Sequence, residues 1–560
     1  MKHVPTYLTA LLITLTVAGL PLAAAKPGKD IRLEPIAAFD SGSGETGAEI
    51  AVLDDKNGLV LVTNGAENRI DIFPLFGGPS SSFDMSPYGS GVQSVAVKNG
   101  LGVAVAAADP VVLPGKAVFF DPADPAAGPS SVVTVGALPD MVTFDHQGRR
   151  VLVANEGEPR CIDTAGNGVT DPSLATNPEG SISIIRLRGG QPGPATTVGF
   201  AAFNGSEASL RAKGVRVGTW PGASVAQDLE PEYITVSQDG KTAYVTLQEN
   251  NALAIVDVPK GQVVDLVALG LKDHSLAENA LDASDEDGPD GSGAANLRAW
   301  PVHGMHMPDA ITSWKQRGKT LLATANEGDG REYFDNKDND DGGTLCLIDE
   351  ARVKDVALDA FFPLPDDIND LDTLQEDENL GRLKVSRFFP STFTGGQPPT
   401  GDTDPADVEG LEYTSLASYG ARSVSIWDAA GNRVWDSGDG IARAILETIG
   451  EDAWVNGPVQ GTTAPPDSRS DDKGAEPEAV AAGKAYGRNL LFVGLERSGG
   501  VLVFDATDPA APQLLEWKQT EDISPEGMQF VKEEDSPTGK ALLVVSYEIS
   551  GTTRVFEIVK

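Results

Sequence analysis

An internal repeat constrains this chain more than any other feature. The unit is a short apolar strand, a turn, a second strand ending in a polar loop, then a third strand ending near Asp. Ala243–Leu247, Gln248-Glu249-Asn250-Asn251 and Ala252–Val258 form one copy of the second strand, loop and third strand. Leu490–Leu495 with Val501–Asp505, and Ala541–Ser546 with Thr553–Ile558, are two more. Val151–Ala154 pairs with Ser181–Leu187 across an insertion, and Leu321–Ala325 with Thr344–Ile348. Leu59–Thr63 with Arg69–Phe73, and Val103–Ala107 with Lys116–Asp121, open the series, and Ala421–Asp428 marks a divergent copy. Eight units of short, Gly-bounded strands predict an all-β fold. The expected architecture is a single β-propeller over residues 26–560, of the WD40/YVTN kind, eight-bladed with seven as the alternative. Arg32–Asp40 precedes the first unit, and the last unit ends after its third strand, so the N-terminal segment is expected to supply the missing outer strand. Residues 203–226, 270–300, 352–410 and 440–473 exceed what such units need and read as loops covering one face. Helical periodicity is confined to stretches such as Gly440–Ile449.

Charge narrows the partners. Acids outnumber bases by 82 to 43, for a net charge of −39, so binding to nucleic acid or anionic lipid is not expected. A 40% hydrophobic fraction still supplies a sizeable core. Lys2 and His3, the apolar run Tyr7–Leu22 and the small residues Ala23-Ala24-Ala25 read as a signal peptide over 1–25. No other segment reaches 18 uninterrupted apolar residues, so the mature protein is expected to be exported, without a membrane span, and monomeric. Cys161 and Cys346 are too few for a disulfide framework or a zinc finger, and whether they pair is left open.

The chemistry lies in two series of carboxylates. The first strand of most units opens on an acid, usually after Pro: Glu49, Asp140, Glu232, Asp309, Glu478 and Glu526, with Gln93 in the second unit. A second acid follows 16 to 22 positions later, at the end of the second strand: Glu67, Asp109, Glu156, Glu249, Glu327, Glu496 and Glu548. Adjacent strands of a meander are antiparallel, so both series should meet at one mouth of a central channel. Like charges gathered there need compensation by hard cations, by Arg and Lys, or by backbone amides. All-oxygen ligands favour Ca²⁺ or Mg²⁺, and Ca²⁺ is the cofactor expected. The competing reading has each acid cap turn amides in its own unit, with Arg as salt-bridge partner. Arg69, Arg160, Arg331, Arg422 and Arg497 fall nearby. His303 and His306 precede one ring acid and suit a general acid, a metal ligand or plain packing. Asp285–Gly291, Asp335–Gly343 and the set Asp402, Asp404 and Asp407 are acidic loops, solvated or calcium-binding, and none has EF-hand spacing. Walker, HExxH and GxSxG motifs are absent.

Several segments resemble the choice-of-anchor I family of exported β-propellers, which also takes in proteins labelled mesenchyme-specific cell surface glycoprotein. They include Leu152-Val153-Ala154-Asn155-Glu156-Gly157-Glu158-Pro159, Trp300-Pro301-Val302-His303-Gly304-Met305, Thr324-Ala325-Asn326-Glu327-Gly328-Asp329 and Gly494-Leu495-Glu496-Arg497-Ser498-Gly499-Gly500. The resemblance implies a propeller and export; since the chain ends inside its last unit, a freely secreted or periplasmic form is expected. Some relatives carry alkaline-phosphatase labels. Two functions are therefore carried forward. One is a Ca²⁺-dependent phosphoesterase of alkaline phosphatase or phytase type acting on a small anionic substrate. In it Arg422 and Arg497 hold phosphate, Glu496 is the base, and His306 is the acid or a ligand. The other is a non-catalytic extracellular propeller that binds a ligand, glycan or protein.

Overall fold

The computed structural model describes residues 31–160, 176–219, 222–334, 345–394, 411–450 and 467–560. The expected signal segment, Cys161 and the acidic stretches at 335–343 and 402–407 lie outside them. The architecture is all-β, with successive four-stranded antiparallel sheets in a propeller-like arrangement. The first sheet is Ala51–Asp54, Leu59–Asn64, Arg69–Pro74 and Ser81–Asp84. The second is Gly91–Lys98, Leu101–Ala107, Pro114–Phe120 and Ser131–Ala137. The third is Pro139–Phe144, Arg150–Asn155, Ser181–Arg188 and Gln191–Gly199. The fourth is Ile234–Val236, Thr242–Leu247, Ala252–Asp257 and Gln262–Ala268. The sixth is Pro477–Ala485, Arg488–Leu495, Val501–Asp505 and Gln513–Lys518.

The fifth sheet departs from the repeat read in the sequence. Its strands are Ile311–Gln316, Lys319–Asn326, Ser423–Asp428 and Arg433–Asp436. Leu321 pairs with Asp428 and Asn326 with Ser423, so two segments assigned to separate units are neighbouring strands of one sheet. Leu345–Ile348, read as the third strand of that unit, pairs instead with Glu332–Phe334 inside the intervening insertion. Local periodicity cannot reveal such a detour, because the second strand reaches its partner across almost a hundred residues. The described residues thus hold seven repeat sheets where eight units were expected.

The last sheet contains Pro525–Val531, Leu542–Tyr547 and Thr552–Val559, and its outer strand is Arg32–Asp40. Leu33 lies opposite Ile558 and Asp40 opposite Thr552, the pairing expected from the unpartnered N-terminal segment.

Strand position explains strand composition. Second and third strands have a sheet on either side, so they are apolar almost throughout: Val103–Ala107 and Leu542–Tyr547 are buried at every residue. Outer strands such as Ser131–Ala137 alternate between buried and exposed. Each pair of successive sheets shares an apolar cluster. Leu61 and Ile72 meet Val95 and Val118 between the first and second sheets. Tyr244 and Leu253 meet Leu322 and Trp427 between the fourth and fifth. Val60 and Val62 of the first sheet pack on Leu542 and Val544 of the last.

Described parts of two insertions expected as loops join one sheet. Leu271–Asp273, His303–Met305, Ala417–Ser418, Lys384–Ser386 and Glu350–Arg352 form a mixed five-stranded sheet. It adjoins a separate core that includes Leu281, Trp300, Val302, Leu374, Leu383, Val385 and Tyr413. Gly440–Ile449 is the helix its periodicity predicts, with Ile441 and Ile445 buried against the fifth and sixth sheets.

Candidate acidic channel mouth

The Pro–acid pairs sit at a recurring backbone irregularity. In the third sheet Pro139 lies opposite Asn155, but Val142 lies opposite Val153, so two residues oppose one. The same bulge falls between Pro477 and Val480, and between Pro525 and Met528. Between Val92 and Ser94 the extra residue is Gln93 itself. Asp140, Glu478 and Glu526 therefore occupy bulges, which break the ladder and re-aim a side chain. The residue before each of these Pro, and before Pro308, has a positive φ: Leu138 (44°), Met307 (41°), Glu476 (49°) and Ser524 (63°). Such a conformation costs on the order of 1–3 kcal/mol for a residue with a Cβ, and four repetitions show that the turn into the inner strand is held by its surroundings. The sequence displayed the Pro–acid pairs but not the bulge that directs them.

The electrostatics show that the acids face a common space. Burial pushes Glu232 well above the usual carboxylate range, and Glu249, Asp309, Glu156 and Asp140 add to it. Glu478 is raised likewise by burial and by Glu526, Glu327, Glu496 and Asp309. Glu526 is raised by burial and by Glu548, Asp309, Glu496 and Glu49. Burial pushes Glu49 up to about 8, with Glu548 and Asp140 adding, and Asp140 up to about 7. Acids from the first, third, fourth, fifth, sixth and last sheets thus raise one another. Glu67 and Asp109, in contrast, are exposed. Glu232 Oε2 and Glu249 Oε2 are buried without a hydrogen-bond partner. Glu327, Glu478 and Glu496 each offer a carboxylate oxygen within 4.8 Å of the others, a set able to hold a cation.

The protein's own cations gather on one side. Lys473 Nζ lies 2.6 Å from Glu327, 3.5 Å from Glu476 and 3.6 Å from Asp329. Arg469 donates to Glu476 at 2.8 Å, and Arg497 lies 3.1 Å from Glu476 and 2.9 Å from Glu496. Burial opposes it, yet Lys473, Arg469 and Arg497 hold the Glu476 carboxyl down at about 2. Burial sends Glu496 the other way, to about 8. Sequence reasoning missed Lys473, Asp329 and Glu158 as members of this group. Lys473 had a signal, since it directly precedes the Gly-Ala-Glu-Pro-Glu run that enters the sixth sheet.

Three other expected site residues are occupied elsewhere. Arg422 donates to the carbonyls of Asp282 at 2.6 Å and of Ser470 and Asp472 at 2.8 Å. Arg331 pairs with Asp228 at 3.0 Å and Glu230 at 3.2 Å, tying an insertion to the segment that leads into the fourth sheet. His306 is buried, edge-on to Trp427 at 5.2 Å, with Nδ1 3.2 Å from the Gly270 carbonyl. Burial pushes it down to about 4, so at neutral pH it is an uncharged packed imidazole.

Fold and site together define an all-β protein of propeller-like build with clustered carboxylates able to chelate a divalent cation. The chain belongs to the choice-of-anchor I domain family, whose model matches residues 49–509. That designation implies a surface or extracellular context. Gigasin-3a of Magallana gigas is 25% identical over 207 residues, covering 33% of this chain and 67% of that protein. Among solved structures, Kuenenia stuttgartiensis Hydrazine Synthase aligns over 92% of this chain and 96% of its own, at 11% identity and a TM-score of 0.44. The Cps50 (Swd1) beta-propeller domain of Myceliophteria thermophila aligns over 94% and 99%, at 8% identity and a TM-score of 0.42. Among the described residues no helix is long and apolar enough to cross a membrane.

Proposed function

We propose that this protein is an exported, non-catalytic binding propeller whose acidic channel mouth takes a cationic group: a divalent ion, or the positive charge of an extracellular ligand. In this reading the seven sheets are the blades of one closed ring, the N-terminal strand completes the last blade, and cleavage after Ala25 releases the mature chain. The observation that carries it is a mismatch of charge. Arg331, Arg422, Arg469, Arg497 and Lys473 are each bonded to carboxylates or carbonyls of the protein. Acids from six sheets meanwhile raise one another, and Glu232 and Glu249 keep buried oxygens without partners. Such a mouth repels a phosphate and attracts a cation.

The Ca²⁺-dependent phosphoesterase is the second reading. It is favoured by Glu327, Glu478 and Glu496 lying together beside Arg497, as a metal and an anion-holding group would.

One experiment separates the two. Glu232→Gln with Glu478→Gln keeps side-chain size and removes two charges. The binding reading expects wild type to melt higher with Ca²⁺ than with chelator. It expects the double variant to lose most of that difference while melting in chelator no lower than wild type. Turnover of a generic phosphomonoester that disappears on chelation would replace the binding module with the enzyme. Mass spectrometry of the exported protein should find Lys26 at its N-terminus; a retained Met1 would reverse the export reading.

A further inference from the structure

A second group of acids lies in the insertion layer and is built differently. Asp282 and Asp287 belong to one insertion, and Asp467 lies in the segment leading to the sixth sheet. Each offers a carboxylate oxygen within 4.8 Å of the other two. Asp282 and Asp467 are both 1% exposed. Asp282 Oδ2 accepts the Asn296 amide at 2.8 Å, and Asp287 Oδ1 accepts the Ala294 amide at 3.0 Å. Asp467 Oδ1 accepts the Ser470 hydroxyl. These bonds orient the three side chains, and Asp282 Oδ1 is left buried with no hydrogen-bond partner. Arg422 spends its hydrogen bonds on the carbonyls of Asp282, Ser470 and Asp472, leaving the carboxylate oxygens to another cation. The acidic neighbours Asp285 and Glu286 are held by Arg382 at 2.8 and 3.3 Å.

We propose that Asp282, Asp287 and Asp467 form a structural site for a hard divalent cation of the Ca²⁺ class, clamping the 281–298 insertion to the segment that carries Lys473 and Glu476 to the channel mouth. Three carboxylates without nitrogen or sulfur select a hard ion. Ligands about 2.4 Å from one ion lie at most about 4.8 Å apart, and the three oxygens lie within that distance of one another. Mg²⁺ keeps several waters and demands a regular octahedron, which a buried carboxylate trio serves poorly. The cation would neutralise the charge that Arg422 leaves uncompensated and would act with Arg422 on the same two segments. The site is independent of what the channel mouth binds.

The test uses the full mature chain stripped of metal and titrated calorimetrically with Ca²⁺ alone and with Mg²⁺ alone. Wild type should bind Ca²⁺ more tightly than Mg²⁺ and melt higher in its presence. Asp282→Asn should lose one equivalent of Ca²⁺, or bind it more weakly by about tenfold or more. Glu478→Gln, which alters only the mouth, should keep that equivalent. Asp287→Asn, at a less buried position, is the control should the first variant fold poorly, and it should lose the same equivalent. Wild-type stoichiometry and affinity in either folded Asp variant, Mg²⁺ binding as tight as Ca²⁺, or no Ca²⁺ binding by wild type would overturn the proposal.

Discussion

The charge state of single carboxyls governs how this protein should respond to pH. Glu49 and Glu496 are pushed up to about 8 and Asp140 to about 7, all above the ordinary values for exposed acids. A carboxyl raised in the folded state binds its proton more tightly there than in the unfolded chain. Its contribution is present in full below the unfolded value of about 4 and is lost as pH rises through the folded one. Glu476 has the opposite sign: held at about 2, it adds stability at neutral pH that is lost on acidification through that value. Metal-free protein should therefore melt progressively lower from about pH 5 to pH 8. Added Ca²⁺ should restore most at the upper end, where the acids are ionised. A melting temperature flat across that range in chelator would show that these clustered acids carry little mutual repulsion. Lys473 gives a sharper test because it serves Glu327, Glu476 and Asp329 together. Removing one partner from such a buried group costs about 3–5 kcal/mol, so Lys473→Met should lower stability by that order in chemical denaturation.

At the scale of elements, the last sheet depends on a strand from the other end of the chain. Arg32–Asp40 pairs with Thr552–Val559 along nearly its whole length. The Leu33 amide also donates to Glu516 of the sixth sheet at 2.7 Å. A chain beginning near Glu49 would lose this ladder and expose the Thr552–Val559 edge, a template for pairing with another molecule. It should melt well below a chain that keeps Arg32–Asp40 and aggregate, and supplying the missing strand as a peptide should rescue part of the loss. Melting and light scattering read both effects, and a truncated chain that matches the full one would refute the strand's role. The bulges are a second device of this scale. Each places its acid with one residue in excess of its partner strand, so the direction of the Asp140, Glu478 and Glu526 side chains is set by backbone register.

The whole molecule carries a net charge of −39. Self-repulsion on that scale destabilises a compact state, and monovalent salt screens its exposed part within a Debye length of about 8–10 Å. Melting temperature at pH 8 should rise with monovalent salt in the presence of chelator. Ca²⁺ at millimolar concentration should achieve more than an equal ionic strength of Na⁺, because carboxylate clusters bind it site-specifically. Equal effects of the two ions would leave only general screening.

Much of this protein was legible in its sequence because strand repeats and buried strands write themselves locally. The all-β class, most repeat units, the N-terminal strand and the helix Gly440–Ile449 follow from apolar runs, their turns and their period. The two series of acids were visible as well, since Pro–acid pairs recur and a second acid follows each first one 16 to 22 positions later. Tertiary structure alone decided which strands belong together in the fifth sheet, where a hydrogen-bonded ladder joins Lys319–Asn326 to Ser423–Asp428 across an insertion. It alone sent Arg422 and His306 into packing, because a side chain's partners depend on what lies across space and not along the chain. Asp282 and Asp467 came together for the same reason: carboxylates from distant segments meet only after the insertion folds against the sixth sheet's entrance, and their mutual repulsion exists only once they do.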